Sequence, residues 1–140
     1  MKAVKYLEQI EACDMKINNK LLEREQWLTL ATKVNCSAEG ERVQSSGNPD
    51  KVADAVVKMV EIDEAINNMI DDFIEVKQEV TDTINQLSDV KLIQVIHMKY
   101  VQYMSFADIA LKMEYSYKWI VKIHSDGIKE IDAILAKKRH

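Results

Sequence analysis

Between positions 117 and 125 stand five residues able to do recognition chemistry: Tyr117, Lys118, Val121, Lys122 and Ser125. They recur three or four apart, which on a helix places them along one face. Ile120, Ile123, Ile128, Ile131 and Leu135 supply an apolar stripe on the other side. A face of this make-up suits a nucleic acid. Lysine ammoniums can meet phosphate oxygens or guanine O6 and N7, a tyrosine hydroxyl can bond a phosphate, and valine can pack on a thymine methyl. The plain alternative is a solvated helix face carrying two ordinary lysines.

The surrounding sequence specifies how such a face would be held. Ser116 reads as the cap of a helix over 116–137, and Lys137, Lys138 and Arg139 put cations at its C-terminal end, where the helix dipole favours them. Ser105 caps a shorter helix before it, with Asp108 at the capping-box position and Ile109, Ala110 and Met113 facing inward. Only Glu114 and Tyr115 are left for the turn. One helix earlier, Ser88-Asp89 ends a long helix and caps the next, whose buried face is Leu92, Ile93, Ile96 and Tyr100. A short helix, a tight turn and a longer helix with cations outside is helix-turn-helix geometry.

Upstream the chain changes character. Residues 1–87 hold 10 Lys or Arg against 17 Asp or Glu, a net of -7; residues 88–140 hold 9 against 6, a net of +3. The expected organisation is a helical hairpin over 1–87 for partner binding or dimerisation, then a DNA-binding domain over 88–140. Residues 3–34 show helical spacing through Leu7, Ile10, Ile17, Leu21 and Leu28, and 35–49 read as a loop, with Ser45-Ser46-Gly47-Asn48-Pro49 the clearest break. From 52 to 87 one apolar row runs Val52, Val56, Met59, Ile66, Ile70, Phe73, Val80, Ile84, Leu87, beside a second of Ala55, Ile62, Met69 and Val76. Two long antiparallel helices of this kind form a coiled-coil hairpin. The second row needs a partner, either the C-terminal helices or a second copy in a homodimer. With one proline, three glycines and 47% apolar residues in 140, the expected fold class is all-α.

Catalysis finds little support. There is no Gly-rich phosphate loop and no nucleophile with a base at usable spacing, and Asp71-Asp72, adjacent on a helix, diverge. The chain does not read as an enzyme, and no cofactor or metal is expected. Cys13 and Cys36 lack zinc-ligand spacing and read as reduced, semi-buried thiols. His97 and His124 read as satisfied core or boundary histidines, Trp27 and Trp119 as packing residues, although Trp119 sits close enough to the reading face to touch DNA, and the methionines as core filler. No apolar run reaches the roughly 18 residues of a membrane span, and no signal segment opens the chain, so a soluble protein in the bacterial cytoplasm is expected. In the loop, Arg42, Gln44 and Ser45 could bind an anion or a partner; the alternative is an arginine paired with a nearby acid.

Residues 92–131 resemble region 4 of the bacterial sigma-70 factors, through Ser105-Phe106-x-x-Ile109-Ala110, the turn at Glu114-Tyr115, and Ser116-Tyr117-Lys118-Trp119-Ile120-x-Lys122-Ile123-His124. The whole chain resembles a family of phage and integrative-element proteins that join a helical hairpin to a sigma-region-4-like tail. Glu41-Arg42-Val43-Gln44-Ser45-Ser46-Gly47 and Tyr115-Ser116-Tyr117-Lys118 carry that likeness. The resemblance implies a DNA-binding transcription regulator of a phage or mobile element, contacting double-stranded DNA through Tyr117, Lys118, Val121 and Lys122. Tyr117 and Val121 stand where sigma region 4 usually carries arginine, which keeps open an adaptor that docks on RNA polymerase without touching DNA. A packaging protein of the small-terminase kind is a third reading.

Overall fold

A computed structural model describes residues 2–40 and 48–138, with side chains for 2–32 and 50–138. Five helices and no strand make up the described residues: α1 Lys2–Gly40, α2 Asn48–Ile84, α3 Val90–Tyr100, α4 Phe106–Met113 and α5 Tyr117–Lys138. The protein is all-α. None of these helices is long and apolar enough to cross a membrane.

The expected loop over 35–49 is too long. α1 continues to Gly40, because Asn35, Cys36 and Ser37 are only weak helix formers and Ala38 and Glu39 are good ones; nothing stops propagation before the glycine. Residues 41–47, with Arg42, Gln44 and Ser45, lie outside the described residues. α2 opens with Pro49 and Asp50 in its first turn, as the missing N–H and the dipole favour. Past Ile84 its end tightens: Gln86 N–H donates to the Thr83 carbonyl at 3.1 Å and Leu87 N–H to that of Ile84 at 3.1 Å.

Packing divides the chain elsewhere than charge does. One compact unit joins Met1–Cys13 to Phe73–His140, and the other is Asp14–Asp72. The first unit has a continuous core. Leu7 and Ile10 of α1, Val80 and Ile84 of α2, Val95 and Ile96 of α3, Ile109 of α4, and Ile120 and Ile131 of α5 are all fully buried there. Each such side chain contributes about 1.5–3 kcal/mol, against about 1 kcal/mol for a helix cap. Packing therefore sets how each helix is rotated, and caps set only where it begins. Thr83, the one buried polar side chain among the described residues, bonds the Tyr6 hydroxyl at 2.8 Å, accepts from Lys138 Nζ at 3.2 Å and donates to the Glu79 carbonyl at 3.1 Å.

In the second unit α1 and α2 pair through Arg24 Nε and Asp63 Oδ1, 2.6 Å apart. Arg24 lies sixteen residues before Gly40 and Asp63 fifteen after Asn48, so the two run antiparallel. The buried side chains here are Ile17, Ala31, Ala55, Ile62 and Ile66. The seam on α2 steps four, three, four, three through Ala55, Met59, Ile62, Ile66 and Met69, drawing alternately on both sequence rows. That corrects two expectations. Val56 and Ile70 of the first row, and Leu21 and Leu28 of α1, are exposed, because each follows a less exposed position by one residue, about 100° round the helix, and a single partner helix covers only the seam.

α5 meets α3 closely at Gly127. A Cβ built there would lie 2.8 Å from Ile96 Cγ1 and 3.0 Å from its Cδ1, and Ile96 is itself fully buried. Gly127→Ala should therefore lower unfolding stability by roughly 1–3 kcal/mol despite alanine's better helix propensity. Urea denaturation checks this, with an unchanged or raised midpoint as the contrary result.

Candidate nucleic-acid interface

α4 and α5 are set by two caps and one turn. Ser105 Oγ accepts from Asp108 N–H at 3.1 Å, and Ser116 Oγ accepts from Trp119 N–H at 3.1 Å. Both serines sit where the sequence places them. Between the helices Glu114 adopts the left-handed conformation, φ 60° and ψ 40°. Its N–H reaches the Leu111 carbonyl at 3.4 Å, and Tyr115 N–H reaches that of Ala110 at 3.0 Å. This is the Schellman pattern, with glutamate in a position that usually holds glycine. It stops α4 and lets the chain re-enter a helix three residues later. Upstream, Asp89 caps α3 by accepting from Lys91 N–H at 2.9 Å.

With Ile120, Ile123, Gly127, Ile128 and Ile131 buried, α5 turns its other side to solvent. Tyr117, Lys118, Val121, Lys122 and Ser125 are all exposed. So is Lys129, four residues beyond Ser125, which the reading of the sequence passed over. Its position seven residues after Lys122 was signal enough. Lys118 to Lys129 spans eleven residues, about 16 Å of helix. Trp119, expected to pack, is instead 43% exposed beside this face, since position 119 falls outside the arc that Ile120 and Ile123 bury.

The acids of α5 are differently disposed. Glu130 accepts from the Ser88 backbone N–H at 3.0 Å and from its hydroxyl at 2.8 Å, and Asp132 accepts from Ala3 N–H at 3.0 Å. The Asp132 bond satisfies an N–H in the first turn of α1, where a carboxylate suits the dipole. Asp126 lies between Lys122 and Lys129 in sequence and is half-buried.

Behind the face sits a polar contact among apolar side chains. Tyr100 Oη and His124 Nε2 are 2.6 Å apart, and the rings stack at 5.6 Å. Phe106 meets the imidazole edge-on at 4.9 Å, with Lys99 Nζ 4.7 Å over its own ring. Burial pushes His124 down to about 4, with the Lys99 charge adding to the effect, and pushes Tyr100 up to about 12, with Glu8 adding. Near neutral pH both are uncharged. His97 is also lowered, first by burial and then by Lys77, and its Nδ1 lies 2.9 Å from Gln102 Nε2. Cys13 is a half-buried free thiol.

The molecule is thus an all-α protein whose last helix presents a lysine-bearing side to solvent. The chain belongs to the family described as "Protein of unknown function (DUF1492)", whose profile matches residues 34–132. No curated protein and no solved structure matches it.

Two outcomes follow from this geometry. The folded pKa of His124 lies below the ordinary 6.5, so the unfolded chain takes up the proton first. Stability should fall as pH drops from about 6.5 to about 4, with a slope below about 1.4 kcal/mol per pH unit for one half-buried proton site. Denaturant titrations across that range should show the slope, and His124→Phe should flatten it. Ser116→Ala should cost about 1 kcal/mol and fray the start of α5, read as faster amide exchange at Trp119.

Proposed function

We propose that this protein is a DNA-binding transcription regulator of a phage or mobile element, with the helix opened by Ser116 entering a major groove. One observation carries the reading. The side of α5 bearing Tyr117, Lys118, Val121, Lys122 and Ser125 is exposed along its length, while its opposite side is committed to the core. The groove is about 12 Å wide and accepts one helix. Lys118 and Lys122 stand nearest the end that points inward in helix-turn-helix docking, and Lys129 farther along is placed for a flanking phosphate. Val121 offers a methyl contact to thymine. The likeness of Ser105–His124 to sigma region 4 supports the same docking.

Electrophoretic retardation on duplex DNA tests this. Two or three phosphate contacts give a roughly ten- to forty-fold loss of affinity between 50 and 200 mM salt. Lys118→Glu and Lys122→Glu should each weaken binding at least tenfold with the helical circular dichroism unchanged. No retardation of any duplex at about 50 mM salt, from a random pool included, would overturn the reading.

A second reading has its own observation. Leu111 is 78% exposed on α4 and borders an open groove of about 570 Å³ with Ala107, Ala110, Glu114, Tyr115 and Tyr117. An apolar side chain so placed favours a protein partner, and RNA polymerase is the one the sigma likeness names. Capture of polymerase core that is lost in Leu111→Asp but kept in both lysine variants would favour this adaptor role over DNA reading.

A further inference from the structure

The unit Asp14–Asp72 is two helices with no third. Its least exposed side chains among the described residues are Ala55 at 3% and Ile62 at 4%. A lone pair of helices buries one seam and leaves the flanks wet, and isolated helical pairs gain little stability without further packing.

The exposed apolar residues are arranged around the Arg24–Asp63 ion pair. On α1, Leu21 precedes Arg24 by three residues and Leu28 follows by four. On α2, Val60 precedes Asp63 by three, and Val56 and Ile70 lie seven to either side. Those spacings put each set on the same side of its helix as its member of the pair. The 2.6 Å contact then brings the two sets onto one side of the hairpin. Leu21, Leu28, Val56, Val60 and Ile70 are each between 38% and 52% exposed.

We infer that this face is the contact surface for a second copy of the chain, whose hairpin completes a four-helix bundle. Size, charge and shape all point to a like partner. Five such side chains leave on the order of 450 Å² of apolar surface in water. In an interface that is a little over half apolar this corresponds to roughly 800 Å² per partner, the standard size. At the centre of the face the charges of Arg24 and Asp63 cancel. It is apolar on both helices about a neutral centre, and a two-fold axis through that centre lays apolar flank on apolar flank, as an isologous interface requires. The inference does not depend on DNA binding.

Sedimentation equilibrium of the full chain between about 5 and 100 µM tests it. The expected mass is twice the 16.1 kDa of the monomer. Leu28→Glu with Val56→Glu should weaken the dimer at least tenfold while keeping the far-ultraviolet helix signal, and Met15→Glu, on the far side of α1, should leave it intact. Should the double variant lose helix, Val60→Lys at the margin of the face gives the same reading with less disturbance. A monomer at 100 µM, or a dimer indifferent to Leu28, Val56 and Val60, overturns the inference. DNA retardation measured on the same variants separates its failure from failure of the proposed function.

Discussion

The crossing of α5 over α3 governs what the C-terminal helices can present. At that crossing Ile96 fills the space that a Cβ on residue 127 would take. Glycine there lets the Ile96 side chain rest directly on the α5 backbone, and that contact fixes α5 about its own axis. Ile120, Ile123, Ile128 and Ile131 then have one direction available, into the core shared with Ile96 and Ile109. Rotating α5 by a single residue, about 100°, would carry lysines toward that core, and the desolvation of an ammonium forbids it. The outward placement of Lys118, Lys122 and Lys129 is thus a by-product of packing, and the serine caps refine only its starting point.

The Tyr100–His124 contact reinforces this arrangement from beneath. It joins α3 to α5, and Phe106 adds α4 through the edge of the same imidazole. An uncharged ring serves there, because a cation among Phe106, Tyr100 and the Lys99 ammonium would be both desolvated and repelled. Three helices so pinned leave the α4–α5 turn little freedom. A glutamate is held at positive φ by the two carbonyl bonds around it, a conformation whose cost of about 1 kcal/mol is small beside the core it serves.

Much of this was legible in the sequence, and unevenly. Helix starts at Ser105, Ser116 and Asp89 could be read because a capping side chain acts on N–H groups only two or three residues away. The inward residues of α5 were legible for a similar reason: isoleucines three and four apart leave one buried side. The end of α1 was not, since Asn35 to Ser37 weaken a helix without ending it, and only Gly40 is a strong breaker. Nor was the division between Val56 and Ile70, which stayed outside, and Ala55, Met59 and Ile62, which formed the seam. Both rows satisfy the same periodicity, and which is covered depends on a partner helix that local spacing does not specify. Trp119 packs less than expected and lies beside the reading face, where its position in the sequence had also put it. The pairing of Tyr100 with His124, twenty-four residues apart, had no local signature at all.

The carboxylates Glu130 and Asp132 are spoken for by Ser88 and by the start of α1. Held by those bonds, the two carboxylates cannot swing round to neutralise Lys118, Lys122 and Lys129, which are exposed on the same helix. The field along that side of the rod therefore keeps its sign while surface side chains fluctuate.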